Sequence, residues 1–258
     1  RAMNMVKCAF PNEKIEYLSR GAWSVAFRTA SGKIIRTKPF FFGTYTRERR
    51  ILEFIDAHGG IGCRIPKLTT FTRGISAFSI HDDLGGKILS GVAPDFYAAP
   101  VAVQKKLATD LYKCMTRLYK MGPIADPAIF KCIRGPGAVN IIQRWPILRK
   151  YLDNPARVWE LYRITKNMPD FGIIHGDIHN GNILVDDNFK LIGLIDFGNA
   201  GIGHIEYDFR MIPENMLAMM PSPPNPEIHK FYSGWFYAHL LRKRPEKTWI
   251  SKMRNFFT

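Results

Sequence analysis

The chain has 258 residues, of which 46% are hydrophobic. These values exclude a largely disordered chain and allow one large domain or two lobes around a substantial core. The formal net charge of +15 sets up a field that attracts anions and repels polycations. It is consistent with an anionic partner and equally with a well-solvated basic surface.

Cysteine usage and the chain start predict the cellular environment. The four cysteines are widely spaced, without a CxxC pair or a grouping with histidine, so we expect no disulfide framework and a reducing compartment. No apolar run approaches the ~18 residues of a membrane span, and the first ten residues lack the apolar stretch of a secretory signal. We therefore predict a cytoplasmic protein without a transmembrane segment.

The first third of the chain predicts strands followed by a helix. Residues 23–29 and 33–38 have strand character and flank the turn 30–32, as in a hairpin. Residues 44–60 then carry apolar side chains at helical spacing and end in two glycines. Two more strands, 69–71 and 75–80, follow around Arg73-Gly74.

The sequence pattern changes from strand-like to helical near residues 83–86. This change predicts two lobes, residues 1–85 and residues 86–258. The segment from residue 101 has apolar residues three or four positions apart, and 156–168 and 228–244 are further amphipathic stretches. A proline-rich loop spans 219–228. The second part is therefore predicted to be mainly helical.

Residues 173–198 crowd polar groups between apolar runs. The runs "IIHGDIHNGNILV" and "FKLIGLIDFG" flank the turn 186–188 and predict a hairpin with polar groups at its open end. Phosphoryl transfer requires a carboxylate that orients or deprotonates the acceptor hydroxyl, and oxygen ligands for Mg²⁺. Asp177, Asn182 and Asp196 supply that set, in the order H-x-D-x-x-x-x-N followed by D-F-G.

The "HGD" and "NGNILV" segments resemble the aminoglycoside phosphotransferase and choline-kinase-like branch of the protein-kinase-like superfamily. The resemblance implies an α+β, two-lobed, protein-kinase-like fold, with a small antiparallel β N-lobe carrying one helix and a larger, mainly helical C-lobe. It also implies ATP and Mg²⁺ as cofactors. Asp177 would be the catalytic base, Asn182 and Asp196 the metal ligands, and His175 an orienting residue.

Two other interpretations of the segment are weaker. Asp, Asn and Gly are common in ordinary turns, but turn chemistry does not require the two motifs in this order. A zinc site at His175, Asp177 and His179 lacks a nearby fourth ligand.

The resemblance implies a nucleotide site built mostly from the first lobe. Gly21 and Ser24 would lie in the loop that covers the phosphates. Arg36 or Lys38 would bind the α- and β-phosphates. Both point to one face of the strand, so periodicity leaves the choice open, whereas the family pattern favours Arg36. Glu48 would pair with that cation.

Two further segments complete the expectations drawn from the resemblance. The backbone near Ile80, His81 and Asp82 would bind adenine where the lobes join. Asp208, in "GHIEYDFRM", would brace the catalytic loop without a chemical role.

The acceptor is predicted from charge. Residues 230–258 are strongly basic with interleaved aromatic residues, which is consistent with contact with an anionic membrane or nucleic acid, or with a core-packing helix pair that has a charged outer face. Lys131 and Arg134 form either an acceptor-phosphate site or a surface turn. We expect a hydroxyl-bearing acceptor, anionic or neutral, that is not a polycation.

The sequence therefore predicts a Mg-ATP-dependent phosphotransferase that moves the γ-phosphate to a hydroxyl of a small molecule. One alternative is a protein kinase that acts on protein hydroxyls. The other is a nucleotide-binding pseudoenzyme with a basic, anion-binding surface.

Overall fold

The fold was analysed in a computed structural model. The structure describes residues 2–20, 24–39, 45–133, 137–168, 171–243 and 246–257.

The N-terminal part is a five-stranded antiparallel sheet with strand order β1-β2-β3-β5-β4. Its strands are β1 (Ile15–Arg20), β2 (Val25–Thr29), β3 (Lys33–Pro39), β4 (Thr69–Arg73) and β5 (Ser76–Asp82). Both predicted hairpins, β2–β3 and β4–β5, are confirmed. A short helix, α1 (Ala2–Ala9), packs Val6 against Phe27, Ile35 and Phe78 to form the core of this part.

Helix α2 (Thr46–Ala57) follows the sheet, as predicted. Its buried face carries Ile51, Leu52 and Ile55 at helical spacing and also Glu48, which is charged. The helix ends before Gly59 and Gly60, both of which have positive φ angles that favour glycine.

The larger C-terminal part is built around α4 (Val101–Lys120), which buries residues three or four positions apart along one face. Helices α4, α6 (Arg157–Asn167) and α9 (Pro226–Lys243) match three predicted amphipathic segments. Other helices of this part were not predicted: α3 (Ala93–Ala98), α5 (Ala138–Tyr151), α7 (Glu206–Phe209) and α8 (Glu214–Leu217). The last helix, α10 (Lys247–Phe257), lies in the basic segment for which a core-packing helix pair was one alternative.

The polar segment 173–198 departs from the predicted single hairpin. Its strands are β8 (Gly172–Ile174), β9 (Ile183–Val185) and β10 (Leu191–Leu194). β9 pairs with β10 and with β6 (Lys87–Ile88), whereas β8 pairs with β11 (Gly201–Gly203), which also pairs with β7 (Lys131–Cys132). The first predicted strand is thus split between two small sheets, because the chain turns sharply at Gly176, where φ is +82°.

The basic C-terminal segment is a helix pair. Met253 and Phe257 of α10 are buried in one cluster with Phe231, Tyr232 and Leu241 of α9. The apolar residues that suggested a membrane or nucleic-acid surface therefore belong largely to the core, and the alternative of a core-packing pair is the one the structure supports. No described helix is long and apolar enough to cross a membrane.

The chain thus has the predicted α+β architecture, with an antiparallel sheet followed by a larger helical part. All five strands of the sheet precede residue 83. The exact division at residues 83–86 stays a prediction.

Candidate active site

The catalytic loop begins after β8 and is held by Asp208. The backbone N–H groups of His175 and Gly176 donate to the two carboxylate oxygens of Asp208, at 2.8 and 2.7 Å. Asp208 is 1% exposed. Burial raises the pKa of Asp208 above its ordinary value, although Arg210 and the two N–H bonds act in the opposite direction. The predicted bracing role of Asp208 is confirmed by these contacts.

Gly176 is required by the space around it as well as by its backbone angle. A Cβ atom at this position would lie 2.3 Å from the carbonyl oxygen of Asn199, well inside van der Waals contact. The close approach of these two backbones brings the catalytic loop beside the segment that follows Phe197-Gly198. This gives a physical reason for glycine between the histidine and the aspartate of "HGD".

His175 connects the catalytic loop to the second motif. Its Nε2 donates to the carbonyl of Ile195 at 3.0 Å, and its Nδ1 accepts the backbone N–H of Asp177 at 3.3 Å. These two bonds are consistent with a neutral imidazole that carries its proton on Nε2. The ring is fully buried and lies 4.4 Å from the ring of Phe197. These contacts support an orienting role for His175, which stays a prediction.

The carboxylate of Asp177 is directed into a polar, partly open environment. Its Oδ2 accepts a 3.3 Å hydrogen bond from Nδ2 of Asn199, and its Oδ1 lies 4.0 Å from Nη2 of Arg210. The side chain is 25% exposed. A hydroxyl from solution can therefore reach the carboxylate, as a general base requires.

Asn182 and Asp196 lie on adjacent backbone segments. The backbone N–H of Ile195 donates to the carbonyl of Asn182 at 3.1 Å. Nδ2 of Asn182 donates to the carbonyl of Asp177 at 2.9 Å, so the amide oxygen is the atom left to bind a cation. Asp196 has a left-handed backbone, with φ of +66°, and its side chain is half exposed. The oxygen-only donor set suits a hard cation such as Mg²⁺.

The zinc alternative has no support among the described residues, which contain no group of three His, Cys, Asp or Glu side chains arranged to hold a metal. His179 instead accepts the backbone N–H of Gly181 at 3.0 Å and caps the short 3₁₀ turn Asn180–Asn182.

Glu48 pairs with Arg36 and thereby distinguishes the two predicted cations. Nη2 of Arg36 donates to Oε2 of Glu48 at 2.8 Å, and its Nη1 lies 3.7 Å from Oδ1 of Asp196. Burial alone would lower the pKa of Arg36, but Glu48 and Asp196 hold it above its ordinary value. Lys38 places its ammonium 4.4 Å from the ring centre of Tyr45, and burial lowers its pKa. Arg36 is thus the cation that contacts both Glu48 on α2 and Asp196 after β10.

The predicted phosphate-covering loop connects β1 and β2, which pair up to Arg20 and Val25. Ser24 directly precedes β2, whereas Gly21 lies outside the described residues. The predicted contacts of Gly21 and Ser24 with phosphate stay a prediction.

The predicted adenine-binding residues lie at the end of β5. Ile80 pairs with Ile35 on one side and Thr69 on the other. His81 and Asp82 continue the pairing with β3 alone, beyond the last β4 pair. The last two residues of β5 thus extend beyond β4, and binding of adenine by the backbone near Ile80, His81 and Asp82 stays a prediction.

Three residues of the site were not predicted: Arg47, Asn199 and Arg210. Arg47 donates to the carbonyls of Ile129 and Gly198 and so fastens α2 to the segment after Asp196. Arg210 donates to the carbonyl of Gly176 at 2.8 Å. The sequence feature that could have identified Arg210 is its position two residues after Asp208. Lys131 lies near this site on β7, whereas Arg134 is outside the described residues.

Comparison with known proteins places this geometry in a family. A family model described as "Phosphotransferase enzyme family" (APH) matches residues 17–233. A serine/threonine-protein kinase of African swine fever virus is 34% identical over 67 residues, which are 25% of this chain and 22% of the viral protein. A mitogen-activated protein kinase of Eremothecium gossypii is 24% identical over 138 residues, or 51% of this chain and 30% of that kinase. The matches thus span less than a third of these curated relatives.

Solved structures extend the likeness to the whole fold. The GDP complex of an aminoglycoside 2′-phosphotransferase-IIIa variant has a TM-score of 0.72 at 17% identity, over 99% of this chain and 95% of that one. The GDP and kanamycin complex of an APH(2″) enzyme has a TM-score of 0.71 at 15% identity, over 99% and 96%. These likenesses show the kinase-like fold. Together with the family match over residues 17–233, they establish that this chain belongs to the APH phosphotransferase enzyme family.

Proposed function

We propose that the protein is a Mg-ATP-dependent phosphotransferase that moves the γ-phosphate to a hydroxyl of a small-molecule acceptor. The observation that carries the proposal is that one series of contacts joins Asp177, Asn182, Asp196 and the Arg36–Glu48 pair. Such an arrangement is what phosphoryl transfer needs, because its catalysis depends mainly on positioning and charge neutralisation.

Each residue has a distinct task in this proposal. Asp177 accepts the proton of the acceptor hydroxyl and orients it. The amide oxygen of Asn182 and the carboxylate of Asp196 hold the metal. Mg²⁺, when bound, neutralises charge on the phosphates.

Arg36 is the proposed ligand of the α- and β-phosphates. Glu48 orients the guanidinium through a 2.8 Å bond from Nη2 to Oε2, and Nη1 lies 3.7 Å from Oδ1 of Asp196. A polyanion bound to a cation on Asp196 therefore also meets Arg36. Gly21 and Ser24, after β1, and the backbone near Ile80, His81 and Asp82 complete the proposed nucleotide site.

The test is a phosphoryl-transfer screen with γ-labelled nucleotide and mass-resolved products, over sugars, amino alcohols, sugar phosphates and proteins. ATP and GTP are compared in parallel, because the similar structures are GDP complexes. Label in small molecules supports the proposal. Binding of Mg-nucleotide without transfer to any acceptor or to water would contradict it.

A protein kinase is the second candidate. The match to a viral serine/threonine-protein kinase over 67 residues favours it. Label that appears only on proteins in a cell lysate, and on none of the small molecules, would establish this alternative.

A further inference from the structure

A cationic cavity lies beside the catalytic loop. It has a volume of about 700 Å³, within the range of small-molecule sites. The described residues that line it include four cationic side chains and no carboxylate: Arg47, Lys131, Arg144 and Arg210.

The cavity lies on the acceptor side of Asp177. Gly176 and Asn199 form part of its wall, and Asn199 donates to the Asp177 carboxylate at 3.3 Å. Arg210, which also lines the cavity, lies 4.0 Å from the same carboxylate. The described lining includes neither Arg36 nor Glu48, so the cavity is separate from the proposed phosphate clamp.

Arg144 on α5 is held by neutral groups. Its guanidinium lies 4.7 Å from the ring centre of Trp235, and Nη2 donates to Nδ1 of His239 at 3.1 Å. Its Nε is buried and has no hydrogen-bond partner among the described residues. Burial lowers the pKa of Arg144, as does the nearby charge of Arg242. The described structure gives this guanidinium no carboxylate counter-ion.

The other three cations that line the cavity add to its excess of positive charge. Arg47 donates to three backbone carbonyls, those of Ile129, Gly198 and Ala200, at 3.2, 2.8 and 2.5 Å, and makes no ion pair among the described residues. Burial lowers its pKa. Lys131 is exposed on β7. Arg210 donates to the carbonyls of Tyr207 and Gly176, and its one ion pair among the described residues is the 4.0 Å contact with Asp177. Clustered guanidinium groups of this kind are suited to a phosphate or carboxylate, which they bind by paired N–H donors.

We propose that this cavity binds the acceptor, and that the acceptor is a hydroxyl-bearing small molecule with a phosphate or carboxylate group. This inference rests on the proposed function, since it names the substrate class of that site. The anionic group lies among Lys131, Arg144 and Arg47, and the hydroxyl is directed to Asp177. A polycation is disfavoured, because it would bring like charges into a cavity without described carboxylates.

Kinetics with matched acceptors test the substrate class. Each pair differs by one anionic group: a hexose and its phosphate, glycerol and glycerol phosphate, and a sugar and its sugar acid. We expect kcat/KM at least about tenfold higher for the anionic member. The phosphate and sugar-acid arms show which anion is preferred. Equal or better transfer to the neutral members, or to aminoglycosides, would overturn the proposal.

Variants of cavity residues test whether the preference for anionic acceptors arises in the cavity. Arg144→Gln and Lys131→Gln are expected to reduce the preference for the anionic member about tenfold, through KM. Lys105→Gln removes the same charge from an exposed position on α4 and should leave the preference unchanged. Melting temperatures of all three confirm folding. An unchanged preference in both cavity variants would refute the assignment.

Anion binding without catalysis separates this proposal from the proposed function. With Mg-ADP present at saturation, inorganic phosphate is titrated at constant ionic strength and followed by tryptophan fluorescence, with Trp235→Phe as the control for the reporter. A saturable change that is lost in Arg144→Gln and kept in Lys105→Gln supports the cavity even if transfer fails. No saturable binding refutes the cavity even if the protein proves to be a kinase.

Discussion

Arg36 and Glu48 form a 2.8 Å ion pair between β3 and α2, with side chains only 13% and 4% exposed. Removing one member of such a pair leaves an uncompensated buried charge, whereas replacing both with apolar groups often costs little. The pair therefore allows its contribution to folding to be separated from its contribution to nucleotide binding.

Glu48→Ala should lower the free energy of unfolding by about 3 kcal/mol and weaken Mg-ATP binding. The double variant Arg36→Met/Glu48→Leu should recover most of the stability and still fail to bind Mg-ATP. Denaturant unfolding and calorimetric titration measure the two effects. Lys38→Met serves as the control, because Lys38 contacts Tyr45. If Lys38→Met abolished nucleotide binding and the double variant retained it, Lys38 would be the phosphate ligand.

Gly176→Ala tests the close approach of two backbones. Gly32 has a similar φ of +77° but open space around it, whereas a Cβ at Gly176 would lie 2.3 Å from the Asn199 carbonyl. Gly32→Ala should cost only the left-handed backbone strain of about 1–2 kcal/mol. Gly176→Ala should cost more and reduce transfer on the order of a hundredfold, because the loop must move. Unfolding curves and rates that match between the two variants would disprove this reasoning.

Asp208→Asn tests the brace of the catalytic loop. One amide oxygen can accept only one of the two N–H groups of His175 and Gly176, and the amide NH₂ would face the other. We expect a loss of about 2–3 kcal/mol in the free energy of unfolding and a lower kcat. Asp153→Asn, at an exposed position after α5, is the control. A variant of Asp208 with unchanged stability would contradict a bracing role.

Buried histidines predict a loss of stability in acid. Burial lowers the pKa of His81 and of His229 below the ordinary value of 6.5. The unfolded chain then binds more protons than the folded one, so these residues contribute stability above pH 6.5 that is lost as the pH falls through the folded pKa values. Denaturant unfolding between pH 8 and 5 should show this fall. The double variant His81→Gln/His229→Gln should flatten it, and an unaltered slope would refute the assignment.

The proposed chemistry of the site could be read from the sequence because its residues lie in short local motifs. Asp177, Asn182 and Asp196 follow a fixed order along residues 173–198. The sheet hairpins and helices α2, α4 and α6 were predictable for a similar reason, since their apolar periodicity is regular.

Long-range contacts were not predictable from such patterns. Arg47, Arg144 and Arg210 come from three separate elements, and only the folded chain brings them to one cavity. The pairing of β8 with β11 instead of β9 depends on the turn at Gly176. Helix α5 contains Pro146 within its length, a residue that normally argues against a helix interior.

The most direct test of the central claim is a comparison of Asp177→Asn with Asp187→Asn. Asp187 is 83% exposed on the turn between β9 and β10, so its variant is a matched loss of charge outside the site. Transfer of label from Mg-ATP to the best acceptor of the screen is measured in single turnovers, with Mg-ATP affinity measured alongside. We predict that Asp177→Asn binds Mg-ATP normally and loses transfer by at least about a thousandfold, whereas Asp187→Asn matches the wild type. Undiminished transfer by Asp177→Asn would contradict the account.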